Sequence, residues 1–166
     1  LIDIAKANDI VTIADEVMTG FGRTGKLTAM EYCRNKADIT AVSKGITGGI
    51  LPLGVTLFNA HIMEAFQSDD ISKVFYHGHS YTGNPLTCAV AVRSLEVLLS
   101  ERMQNNIARI EGQHKQFLDR LGNHPLLKRA ESRGTIIAME IQQANDLLGG
   151  EARFSTLLLV LVLKMV

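Results

Sequence analysis

The stretch that decides the fold is "ITAVSKGITGG", residues 39–49. It opens with apolar and β-branched residues, which is typical of a buried strand, and Ser43 and Lys44 follow directly. Glycine then stands at 45, 48 and 49, where the missing side chain lets another group approach the backbone closely. A lysine at the end of a buried strand, surrounded by glycine, indicates a ligand site rather than simple packing.

Strands and helices alternate along the chain around this stretch. The continuous apolar run at 10–14 (IVTIA) predicts a strand that is covered on both faces. Asn84 and Pro85 are a favourable N-cap and first residue for a helix. The prediction for this part of the chain is strands at 10–14, 38–42 and 53–58, and helices at 2–8, 30–36, 60–67, 85–99 and 103–121. The alternation predicts an α/β fold with a mostly parallel sheet and flanking helices.

The domain organisation changes near residue 122, where Gly122-Asn123 ends a helix. Residues 1–122 are predicted to be part of a large ligand-binding domain, and 123–144 to begin a smaller C-terminal domain with strands at 127–133 and 135–141. Residues 145–166 do not continue this pattern. They contain either a core strand in "STLLLVLVLK" or an aberrant, truncated tail, and we expect the second. We expect the chain to be a fragment, since it opens on what reads as a helix already under way.

Composition narrows the class of protein. The 166 residues are 46% apolar and 20% charged, with a formal net charge of zero, which predicts a globular protein without a nucleic-acid or membrane partner. The longest apolar run, 157–163, is far shorter than the roughly 20 residues that span a bilayer. Cys33 and Cys88 have no metal-ligand spacing, so a reduced cytoplasmic compartment is expected.

Charged side chains follow two strands that are predicted to be neighbours. Asp15 follows the strand at 10–14, and Lys44 follows the strand at 38–42. Ligands of parallel sheets bind at the carboxyl ends of strands. A partly desolvated lysine is a nucleophilic amine that reacts with aldehydes, and pyridoxal phosphate also needs a carboxylate opposite its ring nitrogen. An internal ion pair, or two charges that reach solvent, stays open as the alternative; Glu16 is expected to be structural.

Three blocks together resemble the class III aminotransferases, which are pyridoxal phosphate enzymes of fold type I. They are "IADEVMTGFGRTGK" (13–26), "SKGITGG" (43–49) and "HGHSYTGNPL" (77–86), and they occur in the order that the family has. The resemblance covers about residues 1–141. It implies part of the large, cofactor-binding domain followed by the start of the small domain.

The resemblance also implies roles for individual residues. Asp15 would hold the pyridine nitrogen, and Lys44 would bind the cofactor covalently and carry the proton. Ser80 would bind the cofactor phosphate of a neighbouring subunit, because the relatives are homodimers with the site at the interface. Arg23 and Gly78 would border the substrate.

Small-molecule amine and keto substrates are implied as well. The block at 77–86 and the preceding "SDD" are most similar to a branch of the family that acts in biotin biosynthesis. Its amino donor would be S-adenosylmethionine, and its keto acceptor 7-keto-8-aminopelargonate. Another ω-aminotransferase of the class, of ornithine, 4-aminobutyrate or diamine type, stays open. The 166 residues alone are expected to be inactive, because segments that relatives place in the site are missing.

A dinucleotide site and a metal site fit the sequence less well. "GFGRTG" (20–25) fits the G-x-G-x-x-G dinucleotide fingerprint of NAD-dependent oxidoreductases, but "DEVMT" separates it from the strand, and Asp38 begins the next strand instead of ending it. His77 and His79 have no third ligand nearby, so no metal site is predicted.

Overall fold

A computed structural model describes residues 1–141 and 157–162 of the chain. Residues 157–162 form a strand, which is one of the two readings of the C-terminal segment. The rest of 145–166 lies outside the described residues, so the expectation of an aberrant tail is not tested.

The elements follow the predicted order. They are α1 (Ile2–Ala7), β1 (Ile13–Asp15), β2 (Ile39–Val42), β3 (Val55–Phe58), α2 (Ala60–Glu64), α3 (Pro85–Leu99), α4 (Glu101–Leu121), β4 (Leu127–Arg133), β5 (Ile136–Ile141) and β6 (Leu157–Val162). Short 3₁₀ helices span Ala29–Tyr32, Lys44–Thr47 and Ile71–Lys73. The Asn84 side chain accepts hydrogen bonds from the amides of Leu86 and Thr87, so it caps α3 as predicted.

The first sheet has the order β1-β2-β3. β1 and β2 are parallel, with Asp15 opposite Ala41, whereas β2 and β3 are antiparallel, with Val42 opposite Val55. The expected α/β class is present, and in the described residues its sheet is mixed. The reason is the short connection after β2, which turns straight back into β3 without a crossover helix.

The core of this sheet lies on one face. Val42, Ile46 and Ala91 are buried together, and Phe21, Leu53 and Val55 pack against them. On the other face, Ile13 is 68% exposed and Phe58 is 47% exposed. The expectation that the first strand is covered on both faces is therefore wrong for the chain as described, since nothing in it covers this face.

The chain divides into two compact units. Leu1–Phe21 and Leu27–Leu98 form one, and Gly22–Lys26 joins the described residues after Leu98 in the other. In the second unit α4 buries Ile107 and Ile110 and contacts β4, and β4, β5 and β6 form an antiparallel sheet. The assignment of 1–122 and 123–144 to two functional domains remains a prediction. None of the helices in the described ranges combines the length and apolarity of a membrane span.

Candidate active site

Asp15 and Lys44 stand at the same edge of the first sheet. β1 ends at Asp15, and β2 ends at Val42, two residues before Lys44. Because the two strands are parallel neighbours, their carboxyl ends meet at one edge. The sequence predicted this arrangement from the order of strands alone.

Lys44 has an unusual backbone conformation. Its φ is +41°, in the left-handed region that a side chain disfavours, and it begins a 3₁₀ helix that ends at Thr47. Strained backbone of this kind concentrates at functional sites. The Nζ atom donates to the Sδ atom of Met18 at 3.6 Å, and the side chain is exposed. The expectation of a partly desolvated lysine is therefore not met by these residues alone.

Asp15 and its neighbour Glu16 have opposite environments. Glu16 is 2% exposed, and its carboxylate accepts hydrogen bonds from the amides of Ala29 at 3.0 Å and Met30 at 2.7 Å and from the Thr19 hydroxyl. Asp15 is exposed; its Oδ1 accepts from the Val17 amide at 3.0 Å, and its Oδ2 accepts no hydrogen bond within the described residues. Glu16 is thus structural, as expected, and Asp15 is the carboxylate that is open to a ligand.

Local packing and turn geometry account for the glycines after Lys44. A Cβ atom at Gly45 would stand 2.8 Å from the Cβ of Phe21, so only glycine lets Phe21 pack there. Gly48 and Gly49 have φ of +62° and +85°, which favours glycine in the turn. The sequence analysis overlooked Phe21, whose signal is a single aromatic residue inside a glycine-rich loop.

A cavity of about 760 Å³ lies beside the end of β2. It is lined by Ser43, by the segment 51–54 and by most of the loop 77–84, including Gly78. Ser80 is exposed on this loop, but it does not line the cavity. The Oγ atom of Ser43 donates to the Leu53 carbonyl at 2.6 Å, which joins the residue after β2 to the segment before β3.

Turn hydrogen bonds shape the loop 77–84. The His79 amide donates to the Thr82 hydroxyl at 3.0 Å, and the Tyr81 amide donates to Nδ1 of His79 at 3.1 Å. The Nδ1 atom of His79 therefore already accepts a hydrogen bond from the loop. Among the residues that the structure describes, no three His, Cys, Asp or Glu side chains are grouped as a metal site would need.

Arg23 belongs to the other unit. Its carbonyl oxygen accepts hydrogen bonds from the amide of Thr135 at 2.8 Å and from the hydroxyl of Thr135 at 3.2 Å. The glycine motif around it does not open a helix: Gly22 and Gly25 have φ of +86° and +94°, and the next element is the 3₁₀ helix at Ala29–Tyr32. This turn lacks the helix N-terminus on which a dinucleotide fingerprint depends.

The structure brings some of the predicted site residues together and leaves others apart. Asp15 and Lys44 share a sheet edge, Gly78 lines the adjacent cavity, and Ser80 lies on the same loop with its side chain in solvent. Arg23 is described only within its own unit.

Comparison with known proteins identifies a family. Residues 1–156 match the family model described as aminotransferase class III. The chain is 44% identical over 129 residues to the adenosylmethionine-8-amino-7-oxononanoate aminotransferase of Synechococcus elongatus, covering 78% of this chain and 30% of that protein. The chain thus spans about 30% of the length of this curated relative.

Solved structures of aminotransferases share the fold. An (S)-enantioselective ω-transaminase from Thermomicrobium roseum superposes with a TM-score of 0.76 at 39% identity, over 84% of this chain and 31% of that one. An ornithine aminotransferase from Toxoplasma gondii, described with pyridoxal phosphate partially occupying its active site, superposes with a TM-score of 0.72 at 30% identity, over 84% and 32% of the two chains.

Proposed function

The chain belongs to the class III aminotransferases, and we propose that the protein it comes from moves an amino group from an amine donor to a keto acceptor with pyridoxal phosphate as cofactor. One observation carries the proposal: the parallel ends of β1 and β2 bring Asp15 and Lys44 to one sheet edge. This is the pair of groups that the cofactor needs, an amine and a carboxylate.

The residues at this edge fit the cofactor. Within the described residues the Lys44 amine makes a weak thioether contact with Met18 and no other hydrogen bond, so it is available for a covalent bond to an aldehyde. The free Oδ2 of Asp15 is available for a charge-assisted hydrogen bond from a protonated ring nitrogen. When bound, pyridoxal phosphate supplies an electron sink for the charge that develops at the substrate Cα. Lys44 Nζ would take the proton from the substrate Cα and pass it on, so that the bond to Cα is not simply re-formed.

The proposed substrates follow the names of the relatives. A protein that is 44% identical is named an adenosylmethionine-8-amino-7-oxononanoate aminotransferase. This name supports S-adenosylmethionine as donor, 7-keto-8-aminopelargonate as acceptor, and a place in biotin biosynthesis. The fold similarity to an ω-transaminase and an ornithine aminotransferase supports the second candidate, another ω-aminotransferase of the class.

The remaining roles are proposals of the same kind. Ser80 binds the cofactor phosphate across a homodimer interface, and Arg23 and Gly78 border the substrate. The exposed position of Ser80 on its loop supports a contact outside its own chain. A cytoplasmic location, a cofactor-binding domain over 1–122, and a smaller domain that begins at 123–144 complete the proposal.

Covalent trapping tests the proposal. The protein is incubated with pyridoxal phosphate and reduced with borohydride, and its peptides are mapped. We expect the label on Lys44, no label and no turnover in Lys44→Ala, and parent behaviour in Lys115→Ala, which removes only a surface ion pair with Glu111. Transamination by Lys44→Ala, or a label confined to other lysines, contradicts the assignment.

Two further measurements separate the roles. Asp15→Asn should still be labelled at Lys44 yet turn over at least about a hundredfold more slowly, because the ring nitrogen loses its anionic partner.

Comparison of S-adenosylmethionine, ornithine and 4-aminobutyrate as donors distinguishes the two substrate classes. The 166-residue chain alone should show no turnover with any donor.

A further inference from the structure

The loop 22–26, which carries Arg23, is held by a turn far away in the sequence. Thr135 is 1% exposed, and its amide and its hydroxyl both donate to the Arg23 carbonyl oxygen, at 2.8 and 3.2 Å. The two residues are 112 positions apart. A carbonyl that accepts two hydrogen bonds from a buried residue has little rotational freedom, so the backbone at Arg23 is fixed.

Gly134 lets the turn approach the loop closely. It has a φ of +57°, and a Cβ atom there would stand 2.7 Å from the Arg23 carbonyl oxygen and would overlap backbone atoms of Thr24 and Gly25. Backbone packs directly against backbone at this point. Any side chain at position 134 would have to displace the loop.

We propose that Gly134 and Thr135 are positioning residues that hold Arg23 in place for substrate. The inference rests on the proposed function, in which Arg23 borders the substrate. A guanidinium binds a carboxylate through two parallel N–H bonds, and this geometry demands a fixed origin for the side chain. The turn between β4 and β5 supplies that origin by holding the peptide unit of Arg23 itself. We call the two hydrogen bonds from Thr135 to the Arg23 carbonyl the clamp. The substrate that depends on it is one that bears a carboxylate, the group that the guanidinium would bind.

The first test distinguishes a role of Thr135 in positioning Arg23 from a general loss of structure. Thr135→Val keeps the amide donor and the side-chain shape but removes the hydroxyl, and Thr135→Ser keeps the hydroxyl. In the intact protein with bound pyridoxal phosphate, we expect Thr135→Val to raise KM for a keto-acid acceptor roughly fivefold, the effect of one lost neutral hydrogen bond. The kcat value and the cofactor absorbance should stay at the parent values, and Thr135→Ser should restore KM.

The second test does not depend on activity. Trypsin cleaves after Arg23 and Lys26, and the cleavage rate of a native protein follows the population of the opened loop. Thr135→Val should raise this rate roughly fivefold, and Gly134→Ala should raise it further. The matched control is Gly122→Ala, because Gly122 has a similar φ of +53° but nothing within 4 Å of an added Cβ. Its cleavage in the loop should equal the parent's.

The outcomes distinguish the proposed aminotransferase function from the proposed role of Thr135 in holding Arg23. If the parent does not transaminate but the cleavage pattern is as expected, the proposed function falls and the loop clamp stands. If the parent transaminates and Thr135→Val changes neither KM nor cleavage, the clamp is overturned. A joint loss of kcat and cofactor absorbance in Thr135→Val, without rescue by Thr135→Ser, would also overturn it, because that pattern describes a purely structural threonine.

Discussion

The two halves of the candidate site are built differently. The sheet edge, residues 13–21 and 39–49, rests on buried groups: Glu16 and Thr47 are each 2% exposed, and Ile46 is 8% exposed. The aromatic loop, residues 75–84, has exposed side chains throughout except at Asn84, with Tyr76 75% and Tyr81 76% exposed. The sheet edge is therefore fixed by packing within its own unit, whereas the aromatic loop is fixed by local turn hydrogen bonds.

This difference separates two kinds of proposed functional residue. Asp15 and Lys44 are pre-positioned because buried neighbours hold the backbone that carries them. Ser80 sits on a loop whose large apolar side chains face solvent, which is typical of surfaces that contact another molecule. Substitutions should therefore destabilise the sheet edge strongly and the aromatic loop weakly.

The largest effect on stability is expected from Glu16→Gln. The substitution keeps the shape but removes a buried charge that accepts hydrogen bonds from two amides, so we expect a loss of about 2–3 kcal/mol in the free energy of unfolding. Urea unfolding of the protein measures it. Glu96→Gln, at an exposed ion pair with Arg93, should cost less than about 0.5 kcal/mol. Equal losses in the two variants would mean that the sheet edge is not anchored by Glu16.

A smaller effect is expected from Gly45→Ala. The new methyl group would stand 2.8 Å from the Cβ of Phe21, and such overpacking costs about 1–3 kcal/mol. Gly54→Ala is the matched control, because an added Cβ there has nothing within 4 Å. The difference between the two unfolding free energies isolates the Phe21 contact. A Gly45→Ala protein as stable as Gly54→Ala would show that Phe21 has room to move.

Thr82→Val should have a weak effect on the aromatic loop. It removes the hydroxyl that accepts from the His79 amide at 3.0 Å, and the exposed setting limits the loss to about 0.5–1 kcal/mol. Hydrogen exchange at the His79 amide should accelerate while exchange in β2 is unchanged. Thr56→Val, at an exposed position of β3, serves as the control. Faster exchange in β2 would show that the aromatic loop and the sheet edge open together.

The smallest effect is a pH dependence at the other end of the strands. The Thr12 hydroxyl and amide hold the pKa of Asp38 below its ordinary value of 3.8. A lowered pKa in the folded state contributes stability above the ordinary value and loses it as pH falls through the folded pKa. Unfolding free energies measured from about pH 5 down to about pH 2 should therefore decline less steeply in Asp38→Asn and in Thr12→Val. Parallel acid slopes in parent and variants would exclude this role.

The sequence predicted what depends on local pattern. Strand positions, the Asn84 cap and the shared edge of Asp15 and Lys44 follow from short apolar runs and their order. It did not predict the open face at Ile13, because the burial of a strand depends on what lies beyond it.

Contacts between segments that are distant in the sequence could not be predicted either. The packing of Phe21 on Gly45 joins loops that follow different strands, and the hydrogen bond between Arg23 and Thr135 joins residues 112 positions apart. No periodicity or motif encodes such pairs. Every residue role at the candidate site remains a prediction, for Asp15 and Lys44 as well as for Ser80, Gly78 and Arg23.

The left-handed backbone at Lys44 bears on how this protein can be engineered. Its φ of +41° is a conformation that glycine adopts at far lower cost than lysine. A library screened only for expression or heat resistance would therefore tend to select glycine at position 44, and with it a better-folded protein that lacks the amine proposed to bind the cofactor. Each round of selection should therefore also measure whether Lys44 is still labelled by pyridoxal phosphate and borohydride.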